Sequence, residues 1–237
     1  SVPRPLEGIR VVEFSHMVMG PTCGLILADL GADVVKVEPA PGGDKTRRLP
    51  GSGSGYFGTY NRNKRSIAVN LKSVEGLKFA THLVRESDVL IENFGVGVLD
   101  RLGLGYDAMQ EINPSLVYCA LKGFLSGPYE QRAALDEVVQ MMGGLAYMTG
   151  PEGRPLRAGA SVNDVMGGLF GVIAIQAALW ERQRTGKGTF VRAGLFENNM
   201  FLVAQHMVQY RQTGVPAVPM PERVSAWAVY DVFETAD

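Results

Sequence analysis

Residues 9–38, IRVVEFSHMVMGPTCGLILADLGADVVKVE, read as a strand, a loop, a helix, a turn and a second strand. IRVVEF (Ile9 to Phe14) and DVVKVE (Asp33 to Glu38) are β-branched runs of the length expected for buried strands. Between them, Thr22 to Leu30 is helical in pattern, and Gly31 suits the position past a helix end where φ turns positive. The same alternation continues outward. SIAVNL (Ser66 to Leu71), DVLIEN (Asp88 to Asn93), LVYCALK (Leu116 to Lys122) and TFVRAGL (Thr189 to Leu195) are further strand candidates. VEGLKFATHLVRE and YDAMQEIN carry the three-and-four spacing of amphipathic helices. LDEVVQMMGGLAYM (Leu135 to Met148) reads as one helix, NDVMGGLFGVIAIQAALWERQR as a long one ending at the turn TGKG, and FENNMFLVAQHMVQYRQTG as another. Strands alternating with helices imply an α/β fold: a Rossmann-like, mostly parallel sheet with helices on both faces. Ligands in such sheets bind at the carboxyl ends of strands, so the loops beginning at Ser15, Pro39, Asn93 and Lys122 are the ones to watch.

The chain of 237 residues has room for one large domain and a fragment of another. Apolar residues at 46% and charged residues at 20% describe a soluble globular protein. A net charge of −1 gives no electrostatic footprint for nucleic acid or an acidic membrane. Two cysteines and three scattered histidines offer neither a disulfide framework nor a metal cluster. No signal peptide is visible, and Leu169 to Trp180 is too short for a membrane span, so the expected location is cytoplasmic. Residues 1–214 read as the large domain. Residues 215–237, proline-rich and then alternating like a strand, read as a linker and the beginning of a second, smaller domain.

The familiar nucleotide and hydrolase signatures are missing: no GxGxxG follows the first strand, and there is no GxxxxGK[ST] loop or GxSxG elbow. Carboxylates then become the chemistry to weigh. Ser161 and Asp164 match a capping box that would satisfy free amides at a helix start. The same first-turn position would let the helix dipole hold Asp164 ionised, with Gly167 and Gly168 letting a ligand approach. An ionised, partly desolvated carboxylate can attack a carbonyl carbon and form an anhydride. Lys45, Arg47, Arg48, Arg62, Lys64 and Arg65 surround a glycine-rich loop and would suit a ligand with several phosphates. His16 sits on a ligand loop, and Asn93 with Phe94 could offer an amide and a stacking face or simply end a strand.

The run LEGIRVVEFSHMVMGPTCGLILADLGADVVKVEPAPGGD resembles the opening of the class III CoA-transferases, a family that includes α-methylacyl-CoA racemase as a relative. NRNKRSIAVNLKSVEG, DVLIENFGVGVLDRLGLGY, NPSLVYCALKGF and RTGKGTFVRAGLFE continue the match in order. The resemblance implies a Rossmann-like large domain, a separate small domain, and an interlocked homodimer. It implies acyl-CoA and a small carboxylic acid as substrates, with coenzyme A entering as substrate and no resident cofactor or metal. It places the aspartate nucleophile in NDVMGG, at Asp164, and the CoA contacts at His16, Val18, Met19, Lys72, Asn93, Phe94, Arg101 and Lys122. The implied reaction runs through an aspartyl anhydride. The chain departs from the formyl-CoA transferases in carrying Val18 where they have glutamine. It departs from the racemases in carrying Leu135 before Asp136 where they have histidine, which favours transfer over racemisation; a non-catalytic CoA-binding role is the other alternative. Family members are longer, and this chain ends near where the small domain begins.

Overall fold

The computed structural model describes residues 2–223, 225–227 and 229–236. Its sheet is built from β1 (Arg10–Phe14), β2 (Asp33–Pro39), β3 (Arg65–Val69), β4 (Val89–Glu92), β5 (Val117–Lys122) and β6 (Phe190–Gly194). All pairings are parallel, in the order β3-β2-β1-β4-β5-β6. Strands read from β-branched runs are those found, because a sheet covered on both faces buries consecutive residues. Val12 of β1 faces Val35 on one side and Leu90 on the other.

The helices are α1 (Met19–Asp29), α2 (Tyr56–Tyr60), α3 (Val74–Arg85), α4 (Val98–Arg101), α5 (Tyr106–Ile112), α6 (Asp136–Met142), α7 (Leu145–Thr149), α8 (Val162–Thr185) and α9 (Leu195–Thr213). Side chains alternate across each strand, so β1 feeds two cores. Val11 packs with Cys23 and Leu27 of α1 and Val172 and Ile175 of α8. Val12 and Phe14 pack with Ala80 and Val84 of α3 and Met109 of α5. α8 is long and apolar enough to cross a bilayer, but one face of it lies in the first core.

Three elements differ from their sequence reading. α1 begins at Met19, ahead of Thr22, because Pro21 in a first turn gives up only an amide that has no helical partner. Residues 135–148 form two short helices, because Gly144 takes a φ of 86° that breaks the run. Among the described residues of 215–236 there is no strand, and Trp227, Val229 and Phe233 are exposed.

The basic residues around the glycine-rich loop are spent inside the fold. Arg47 makes a two-pronged pair with Glu38 at 2.7 Å, Arg62 pairs with Asp29 at 2.7 Å, and Arg65 pairs with Asp33. Lys64 is buried and reaches Glu13 at 2.9 Å; Arg48 bonds the Gly42 carbonyl. Lys45 alone of that set has no partner among the described residues. The expected polyphosphate cradle is therefore a set of ion pairs that ties the loop to β1 and β2.

Candidate active site

β1 and β4 lie where the strand order reverses, and the loops leaving them form a crevice, as a doubly wound sheet dictates. A buried ion cluster fixes the first loop. Lys36, 1% exposed, stands 3.5 Å from Glu13 and 3.2 Å from Asp44, and donates to the Ser15 carbonyl at 2.7 Å. Met17 turns at φ 62°, its amide held by the Thr46 hydroxyl at 3.1 Å. The Asn93 side chain clasps His16 in both directions: its Oδ1 accepts from the His16 amide at 3.0 Å, and its Nδ2 donates to the His16 carbonyl at 2.9 Å. The His16 ring stacks on Phe94 with centroids 5.7 Å apart. His16 as a residue is exposed, yet its ring sits in the crevice mouth, and desolvation lowers its pKa, with Asp44 opposing. The imidazole is neutral at pH 7.

Asp164 stands in the first turn of α8. The expected capping box does not form: the Ser161 side chain makes no cap bond. The free amide of Asp164 is instead accepted by Oδ2 of Asp136, 28 residues back, at 2.9 Å. Asp136 is buried, and its other oxygen is held by Gln140. The Asp164 carboxyl has no hydrogen-bond partner among the described residues. Burial first, then the charges of Asp136 and Glu137, push its pKa up to about 7, with Arg157 pulling the other way. The helix dipole does not hold it ionised, as the sequence suggested. Nor do the glycines face a ligand: a Cβ on Gly167 would stand 2.3 Å from Met19 Cε, and one on Gly168 2.6 Å from Thr22 Cβ. They let α8 lie close on α1, which brings Asp164 to the loop after β1.

A cavity of about 390 Å³ gathers His16, Val18, Met19, Asn93, Phe94 and Lys122 around Asp164. A second, of about 470 Å³, holds Lys72 and Arg101 and shares Phe94 as a wall. The sequence-predicted residues thus line two cavities that have Phe94 as a common wall. Their roles differ. Val18 and Met19 are buried and shape the floor. Lys122 is engaged by Glu92 and the Phe94 carbonyl, both at 2.7 Å, so it fixes the loop after β4. Lys72 and Arg101 have no ion pair among the described residues. Sequence reading missed Tyr56, Arg132, Asp136 and Arg157, which line the first cavity. Only Asp136 had a visible signal, as an acid opening a predicted helix.

The model of CoA-transferase family III matches residues 6–237, and the chain belongs to that family. Among its relatives, succinate–glutarate CoA-transferase of Agrobacterium fabrum is 39% identical over 98% of this chain and 61% of that protein. Formyl-CoA:oxalate CoA-transferase of Streptomyces coelicolor is 47% identical over 81% of this chain and 48% of that protein. Among solved structures, a CAIB/BAIF family protein from Brucella suis superposes with a TM-score of 0.86 at 42% identity, over 92% of this chain and 60% of that one. The chain therefore spans about half to three-fifths of the length of these relatives.

Proposed function

We propose that this chain carries the CoA site and the nucleophile of an enzyme that moves CoA from an acyl-CoA to a carboxylic acid. The observation that carries the reading is Asp164, whose carboxyl has no hydrogen-bond partner among the described residues, on a cavity divided by Phe94 from the one that holds Lys72 and Arg101. Those two free cations suit the phosphates of CoA, the Phe94 wall suits its passage, and the thioester would end beside the acid. Burial that raises the Asp164 pKa also strips water from the carboxylate, leaving it a stronger nucleophile once ionised. In the proposed first step an Asp164 oxygen attacks the thioester carbon, the C–S bond breaks, and CoA leaves as thiolate. The acceptor carboxylate then attacks the mixed anhydride and releases the first acid. Thiolate attack on the new anhydride forms the new thioester and frees Asp164.

The exposed apolar residues Ile173 and Trp180 of α8 and Phe201 and Met207 of α9 support a homodimer as the working assembly. Two free, buried cysteines fit the reducing conditions of a cytoplasmic enzyme. Hydroxylamine added to full-length protein with an acyl-CoA panel should leave a hydroxamate on Asp164, read as a mass shift on its peptide. Turnover without that adduct, or transfer surviving in Asp164→Ala, would refute the reading.

A further inference from the structure

Among the described residues lining the Asp164 cavity, every lysine and arginine but one has an acid within 4 Å. Glu130 is taken by Arg192 at 3.2 Å, and Arg157 lies between Glu137 at 3.8 Å and Asp136 at 4.0 Å. Lys122 belongs to Glu92. Among the described residues lining this cavity, one acid and one guanidinium are left without an opposite charge: Asp164 and Arg132. Arg132 is held without spending its donors, its Cζ lying 4.5 Å from the centre of the Tyr129 ring. A guanidinium fixed by its face keeps its planar fork of N–H groups for a carboxylate.

The geometry points to Arg132 as the residue that reads the far carboxylate of a dicarboxylic acceptor. This rests on the transferase reading of Asp164. A dicarboxylate that offers one end to the reacting centre must bring its second negative charge into a cavity already lined by Glu130, Asp136 and Glu137. Arg132 is the cation there with nothing else to neutralise. A monocarboxylic acceptor of the same chain length leaves it unpaired, so discrimination follows from one charge-assisted, two-pronged contact. Arg157 serves less well, because its single charge is already shared by two acids, Asp136 and Glu137.

The test compares acceptors in matched pairs, succinate against butyrate and glutarate against pentanoate, using the full-length protein and one fixed acyl-CoA. Arg132→Gln should lower the diacid-to-monoacid ratio of kcat/KM by about 10- to 100-fold, the size of one charged hydrogen bond at a wet rim. Arg132→Lys should recover part of it. Exchange of labelled CoA into the donor reports Asp164 chemistry separately. If exchange proceeds and the ratio is unchanged in Arg132→Gln, the Arg132 proposal fails alone. An equal loss with every acceptor, with a raised KM for the acyl-CoA, would assign Arg132 to the donor and overturn it too. Absent exchange in the wild type across a donor panel would instead remove the transferase reading beneath it.

Discussion

Asp164→Asn should abolish transfer and yet stabilise the fold at alkaline pH. The native pKa of about 7 stands above the ordinary value of 3.8, so the folded state holds this proton more tightly than the unfolded chain. The associated stability is full below pH 3.8 and is lost as pH rises through 7. At about 1.36 kcal/mol per pK unit, the roughly three-unit difference amounts to about 4 kcal/mol, of which roughly half falls between pH 5 and 7, because the native group is itself half ionised at 7. Asp164 is partly exposed, and water screening reduces that share to about 1–2 kcal/mol. Asparagine keeps the shape and has no charge to desolvate. Urea unfolding at pH 5 and pH 8 should show the variant gaining that amount on the wild type between the two. Parallel pH dependences for the two proteins would refute the buried, acid-flanked environment on which the chemistry rests.

Two other perturbations probe what positions the acid. Asp136→Asn retains an oxygen to accept the Asp164 amide but removes the charge that is the second cause of the raised pKa. The acid limb of the pH–rate profile should move to lower pH yet stay above 3.8, because burial, the larger cause, remains; an unmoved limb would show that the Asp136 charge is not felt. Gly168→Ala should cost about 1–3 kcal/mol in thermal or urea unfolding, despite the ~1 kcal/mol that alanine gains in a helix. The new Cβ would stand 2.6 Å from Thr22 Cβ and 2.9 Å from the Met19 carbonyl oxygen, so a stabilised variant would contradict the α1–α8 contact.

The sheet was legible because its strands are buried on both faces and so announce themselves as β-branched runs with no need of a partner. The positions of His16 and Asn93 followed from topology alone, since loops at the carboxyl ends of β1 and β4 must meet. What depended on distant partners was not legible. The six cations around the glycine loop looked available, but five are bound, four of them to acids on β1, β2 and α1 that only the fold brings near. Ser161 matched a local cap motif, yet the cap came from Asp136. Residues 135–148 carried helical spacing throughout, and the break at Gly144 is a matter of backbone conformation rather than of hydrophobic pattern. Arg132 and Tyr56 lie in segments without periodicity, where nothing local marks a cavity wall.

The outcome at Asp164 turns on which of two opposed effects is larger. A first-turn carboxylate gains about 0.3–1 kcal/mol from the helix dipole in its charged form. Burial and two neighbouring acids oppose it with a shift to about 7, several times that size before screening. The dipole is further weakened here because the amide that would face the ligand is already taken by the Asp136 carboxylate. One side chain therefore both closes the helix start and makes its neighbour harder to ionise. A serine cap, as the sequence suggested, would have satisfied the same amide without adding a charge. The acid that results is more basic than an ordinary aspartate and poorly solvated, which is the state a carboxylate nucleophile needs once its proton is gone. The structure thus ties the capping of α8 to the reactivity proposed for Asp164 through a single hydrogen bond.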